Sequence, residues 1–121
     1  MEQMDELKRM LEEANDLGNV NSVLYWDQMT FMPPAGAESR GRQMAIISRL
    51  AQEKATDPAS GKLLDQLQSY GESLPFDHDD AAFLRAARRD YERQVRIPPQ
   101  FVAEASEHSA ASYQAWTEAE L

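Results

Sequence analysis

Few side chains in this 121-residue chain are both reactive and placed to do chemistry, and Asp27 is the first of them. It follows Trp26 inside an otherwise apolar stretch, SVLYWDQMTFMPP, residues 22–34. On a helical wheel of about 100° per residue, Asp27 falls in the middle of a stripe made by Val20, Val23, Leu24 and Phe31. The carboxylate is therefore expected to point at a core. A lone buried carboxylate is costly, so it needs a partner. Arg40 offers one, because it lies within the apolar stripe of the next helix, between Ile47 and Ala51 in angle. Two antiparallel helices joined through Pro33-Pro34 would bring Asp27 and Arg40 together as a charge-assisted pair. Backbone N–H groups near Gly36–Glu38 could add further donors. Such a pair fixes register more surely than it adds stability, and losing one member of a dry pair would cost about 3–5 kcal/mol. As a catalyst, Asp27 would lack a histidine or metal ligand nearby in sequence.

The remaining candidates point to capping and surface pairing. His78 and His108 are the two histidines, and no HExxH or other histidine pair at i, i+4 exists. Glu104 and His108 lie one helical turn apart, but two ligands fall short of the four that closed zinc sites use, and neighbouring side chains at this spacing commonly just touch. Residues 77–80, DHDD, lack the glycine and distal glutamate of a calcium loop. They read as a helix start, with Asp77 as the N-cap and Asp79 and Asp80 at the positive end of the dipole. Arg85, Arg88, Arg89, Arg93 and Arg96 cover most of one helix side, which reads as a solvated face paired with neighbouring acids. No glycine-rich phosphate loop is present, and no serine, histidine and acid form a recognisable motif. No catalytic, cofactor-binding or metal-binding residue is therefore assigned.

Composition bounds the rest. The net charge of −9 argues against nucleic acid, whose phosphates need a basic surface. With no cysteine, disulfides and thiolate metal sites are excluded. No apolar run reaches the length of a membrane span, and the acidic start MEQMDELKR is unlike a signal peptide, so a soluble, cytoplasmic protein is expected.

The elements that would position these groups are all helical. Apolar residues recur at helical spacing throughout, and period-2 alternation is absent. The pattern predicts about six helices in antiparallel hairpins. The first covers residues 2–17, with Met4, Leu7, Leu11 and Ala14 on one face. A break or sharp kink follows at residues 15–19, where the stripe changes phase beside Gly18 and Asn19. A second helix covers 20–31 and ends at Pro33-Pro34. A third covers 37–55, with Met44, Ile47, Leu50 and Ala51 inward. Asp57 and Pro58 restart the chain for a fourth over 58–70, burying Leu63, Leu64, Leu67 and Tyr70. A fifth over 78–96 buries Phe83, Leu84, Ala87, Tyr91 and Val95. The sixth starts near 99 with Phe101, Val102, Ala105, Ser109, Ser112 and Trp116 on one face, and its small residues would let another helix approach closely. Its end, WTEAEL, carries no helix-stopping residue and looks like a cut within a longer helix.

Residues 25–53, YWDQMTFMPPAGAESRGRQMAIISRLAQE, resemble the N-terminal signature of the carboxypeptidase Taq family of thermostable zinc metallocarboxypeptidases. The matching positions are Trp26, Asp27, Gln28, Met32, Pro33, Gly36, Ala37, Glu38 and Arg40. The stretches TDPASGKLL and RRDYERQVRIPPQFVAEASEHSAASYQAW resemble later parts of the same region, so the likeness runs along essentially the whole chain. It implies an almost wholly helical parent, several times longer, that removes C-terminal amino acids from peptides. In that family one metal, zinc or another divalent ion, is held by the two histidines of HExxH and a downstream glutamate, and the motif's glutamate activates water. None of these groups is in this chain. The resemblance thus implies that residues 1–121 form a single helical domain, the N-terminal part of such an enzyme. It would serve as scaffold and groove wall beside the peptide substrate and would not be catalytic alone. Its partners would be the remainder of the parent and, through uncovered apolar surface, other copies in a homo-oligomer or domain swap. The alternative is a free-standing helical module that binds another protein through an apolar helix face.

Overall fold

The computed structural model describes residues 2–120, which form five α-helices and one short 3-10 turn. Helix α1 is Glu2–Thr30, the 3-10 turn is Pro34–Gly36, and α2 is Ala37–Ala55. Helix α3 is Pro58–Glu72, α4 is Asp79–Gln94 and α5 is Pro99–Glu120. The all-helical class holds, and the six expected helices become five because the first two are one.

No break occurs at Gly18. Helix α1 runs unbroken for 29 residues, about 43 Å at 1.5 Å per residue. The apparent phase change has another cause. The inward positions are Met4, Leu7, Leu11, Ala14, then Asn21 and Gln28. They follow a 3.5-residue repeat, whose stripe drifts about 20° per heptad around a straight helix. In the C-terminal half the inward residues are polar. The apolar residues Val20, Val23 and Phe31, expected in the core, are exposed, and Leu24 is half-buried.

The two halves of α1 serve different partners. Its N-terminal half lies on the antiparallel α3–α4 pair, where Met4, Leu7, Leu64, Leu67, Leu84 and Ala87 form the apolar core. Tyr91 packs so closely on α3 that a Cβ at Gly61 would stand 2.6 Å from its hydroxyl. The C-terminal half of α1 lies on α2, and α5 packs on α2 while also meeting α1 through Gln28 and Tyr25. Here the packing is built from small residues. Gly41 faces Ala110, and Ala45 and Ala103 are also buried, so α2 and α5 approach closely.

The inward face of α5 differs from the expected one. Ala103 and Ala110 are buried and Ser106, Tyr113 and Thr117 half-buried, whereas Phe101, Ala105, Ser109, Ser112 and Trp116 are exposed. Small residues won the contact because a close helix approach excludes bulky ones. On α2, Leu50 is exposed, and Val95 is exposed just past the end of α4. Prolines set the boundaries as expected: Pro33 before the turn, Pro58 in the first turn of α3 and Pro99 opening α5. Asp57 caps α3 by accepting the Ala59 N–H at 2.9 Å. The cap of α4 is His78 rather than Asp77. Its extended backbone places Nδ1 to accept the Asp80 N–H at 3.1 Å. Among the described residues, no helix is long and apolar enough to cross a membrane.

Candidate functional site: the polar seam of α1, α2 and α5

The signature stretch forms the end of α1 and the turn into α2, and its polar side chains are spent on holding three helices together. The Asp27 Oδ2 accepts from Arg40 Nη2 at 2.7 Å. Arg40 Nη1 donates to the Leu24 carbonyl at 2.7 Å, so one guanidinium grips both a side chain and the backbone of α1. The Arg40 side chain is 16% exposed and that of Asp27 is 36% exposed, so the pair sits at the edge of the seam with the carboxylate in reach of water. The Gly36 N–H closes the turn onto the Pro33 carbonyl and is not a donor to Asp27.

Gln28, next in the chain, turns to α5 instead. Its Nε2 donates to the Ala110 carbonyl at 3.1 Å in a buried contact. About two turns earlier, Asn21 Nδ2 donates to Ser48 Oγ at 2.6 Å and to the Met44 carbonyl at 3.3 Å. At the far end of α2, buried Gln52 donates to the Gln94 and Ile97 carbonyls at 2.9 and 2.8 Å. Gln52 satisfies carbonyls at and just past the end of α4, whereas Asn21 and Gln28 add bonds to mid-helix carbonyls and leave their own Oδ1 and Oε1 buried without a partner. Sequence reasoning missed Asn21 and Gln52, and gave Gln28 only as a signature position, because it sought apolar stripes. The signal was available: Asn21 and Gln28 continue the seven-residue spacing from Leu7 and Ala14.

Trp26 is the outlier of the signature. It is 53% exposed and meets Phe31 edge-on, with ring centroids 5.5 Å apart. Val20 and Val23 extend this surface along α1. Met32 is half-buried and touches the space above Gly36, while Pro33 is exposed. The signature therefore divides into an inward clamp, Asp27, Gln28 and Arg40, and an outward apolar edge.

Elsewhere the reactive side chains are engaged with neighbours. The Tyr70 hydroxyl donates to Asp80 Oδ2 at 2.8 Å, and Lys8 Nζ lies 3.4 Å from Asp80 Oδ1. The tyrosine hydrogen bond, then the lysine charge, hold the Asp80 carboxyl below its ordinary value of 3.8, while the same bond raises the Tyr70 phenol above 10.0. His108 pairs with Ser112 at 3.3 Å and Glu104 with Gln100 at 3.3 Å, so the structure does not join Glu104 to His108. Arg88 reaches Asp65 at 2.9 Å and Arg89 reaches Asp90 at 3.6 Å. Among the described residues, no three histidine, aspartate or glutamate side chains gather to hold a metal ion, so no catalytic step is derived through one.

Comparison with known proteins follows the same lines. Residues 6–120 match the family model described as carboxypeptidase Taq (M32) metallopeptidase. Over 109 residues the chain is 34% identical to thermostable carboxypeptidase 1 of Thermus thermophilus, covering 88% of this chain and 21% of that protein. The chain thus spans about a fifth of the length of the curated relative it matches. No solved structure matches. With the match running across nearly all of the helices that carry the clamp, the chain belongs to the carboxypeptidase Taq (M32) metallopeptidase family.

Proposed function

We propose that residues 1–121 act as one helical domain, the N-terminal scaffold and groove wall of a metallocarboxypeptidase that removes C-terminal amino acids from peptides. The observation that carries this reading is the division of the signature. Asp27, Gln28 and Arg40 are consumed by contacts within the chain, while Trp26, Phe31, Val20 and Val23 are left as an apolar edge. A carboxylate held by arginine and lacking a metal or histidine neighbour is poorly suited to activate water. It is well suited to fix the register of two helices. The metal, zinc or another divalent ion, and its ligands would come from the remainder of the parent enzyme, which would dock on the apolar edge and complete the peptide groove.

The test is complementation. The purified chain is mixed with the remaining portion of the Thermus thermophilus relative in the presence of zinc, and release of the C-terminal amino acid from a peptide is followed. The chain alone should release nothing, and the mixture should exceed the remaining portion alone. Peptide hydrolysis by the chain alone, with stoichiometric bound zinc, would overturn the reading.

A further inference from the structure

A second concave surface lies away from the seam, on the α3–α4 pair. It is a groove of about 620 Å³, with Leu64, Leu74 and Leu84 in its floor and Phe76 at one end. Arg85, Arg88 and Arg89 also line it, together with Glu72 and Glu92. These arginines are not equivalent. Arg88 is committed to Asp65 at 2.9 Å and reaches Glu92 at 4.0 Å. Arg85 has no carboxylate partner among the described residues. Its guanidinium lies over the Phe76 ring, 3.7 Å from the centroid, and its Nη2 donates to the Phe76 carbonyl at 2.8 Å.

This arrangement holds a planar cation in place at low entropic cost and leaves N–H donors unspent. Arginine has five donors in a rigid fork that matches a carboxylate. An apolar floor beside such a fork fits a ligand that is apolar at one point and anionic a few ångströms away. The net charge of −9 makes a nucleic acid or an anionic membrane a poor match. The overall charge does not exclude a short acidic segment, because charges beyond about 8 Å are largely screened at physiological ionic strength. Locally the groove presents the Arg85 fork, while Arg88 and Arg89 are paired with acids.

We propose that the α3–α4 groove binds a short acidic amphipathic peptide segment of another protein. An apolar side chain enters between Leu64, Leu74 and Leu84, and a neighbouring carboxylate pairs with the Arg85 fork. Phe76 acts as the positioning residue for Arg85. This proposal does not depend on the scaffold reading above.

The experiment uses the full chain and two fluorescein-labelled helical peptides, one of leucine with glutamate and one with lysine in place of each glutamate. Fluorescence anisotropy should show the glutamate peptide binding at least 10-fold more tightly, with affinity falling as salt rises. Arg85→Glu should abolish this preference. Arg85→Lys should weaken binding several-fold, since it keeps the charge and loses the fork. Phe76→Ala should weaken binding by less than Arg85→Glu. Amide chemical shifts on titration separate this site from the apolar edge of α1. Changes centred on residues 71–76 and 85–89 support the proposal. Changes centred on residues 20–31, equal binding of both peptides, or no binding of either would overturn it.

Discussion

Asp27 is at once the residue that most invites a catalytic reading and the one whose surroundings most argue against it. Its carboxylate meets Arg40 at 2.7 Å but is over a third exposed, so the pair is wetter than a core position on the wheel implied. Exposed pairs contribute about 0–1 kcal/mol and broken dry pairs cost about 3–5 kcal/mol, so a double-mutant cycle on Asp27→Ala and Arg40→Ala should give a coupling of about 1–2 kcal/mol. A coupling near zero by chemical denaturation would sink the clamp. Asp27 and Arg40 meet because both flank a proline turn between antiparallel helices, not because of the wheel, which set Asp27 in a core stripe. The wheel failed on Val20, Val23 and Phe31 because it weighed side-chain polarity and could not see that α1 turns the amides of Asn21 and Gln28 inward. Asp80 makes a second prediction at this scale. Its folded-state pKa lies below its unfolded value, so its stabilisation is present above the unfolded pKa and is lost as pH falls through the folded one. Tyr70 has the opposite sign: its raised pKa gives stabilisation below 10.0 that is lost at higher pH. In Tyr70→Phe, the acid limb of the stability–pH curve should shallow and the alkaline limb should lose the Tyr70 contribution. Unchanged limbs would show that the hydrogen bond is not formed in solution.

Among the helices, two glycines should respond in opposite directions. Gly18 sits mid-helix with nothing within 4 Å of the place a Cβ would occupy, so Gly18→Ala should stabilise α1 by about 0.5–1 kcal/mol. Gly61→Ala gains the same helical preference but drives a methyl to within 2.6 Å of the Tyr91 hydroxyl. Displacing that ring should produce a net loss of about 1–2 kcal/mol. Thermal melts of the two variants check both signs. The same pair explains what was legible. Pro33, Pro58 and Pro99 mark boundaries because the ring forbids the helical hydrogen bond in any context. Glycine only costs about 1 kcal/mol, and packing on both sides of residue 18 outweighs that. A helix broken by composition and a helix shared between two partners have the same signature in sequence, an abrupt phase shift. Only the partners distinguish them.

Across the whole molecule, apolar side chains are left outside both cores. Val23, Trp26 and Phe31 on α1 and Phe101 and Trp116 on α5 are all more than half exposed. Such surface drives association when nothing covers it. Isolated chain should therefore self-associate in sedimentation velocity at high concentration, and Val23→Ser with Phe31→Ser should shift the distribution toward monomer. A compact monomer at all concentrations would oppose this and weaken the idea that the edge is a docking face. The proposed partner of that edge, and the proposed metal and peptide groove, leave no signal in the sequence for one physical reason. Each would be built from residues or surfaces that this chain does not contain.

Helix α1 is the longest element shared by both packed regions, and between them it is nearly bare. From Asn15 to Val20, only Leu17 is half-buried, and Gly18 lies in the middle. Backbone hydrogen bonds in that span are shielded by little except the helix itself, so they should exchange with solvent deuterium by local opening while the amides around Leu7 and Gln28 remain protected. A protease should nick the chain first in the same span. Helix α1 and the Gln52 contacts from α2 to the end of α4 are then what couple the two packed regions, whose amides should open with different free energies.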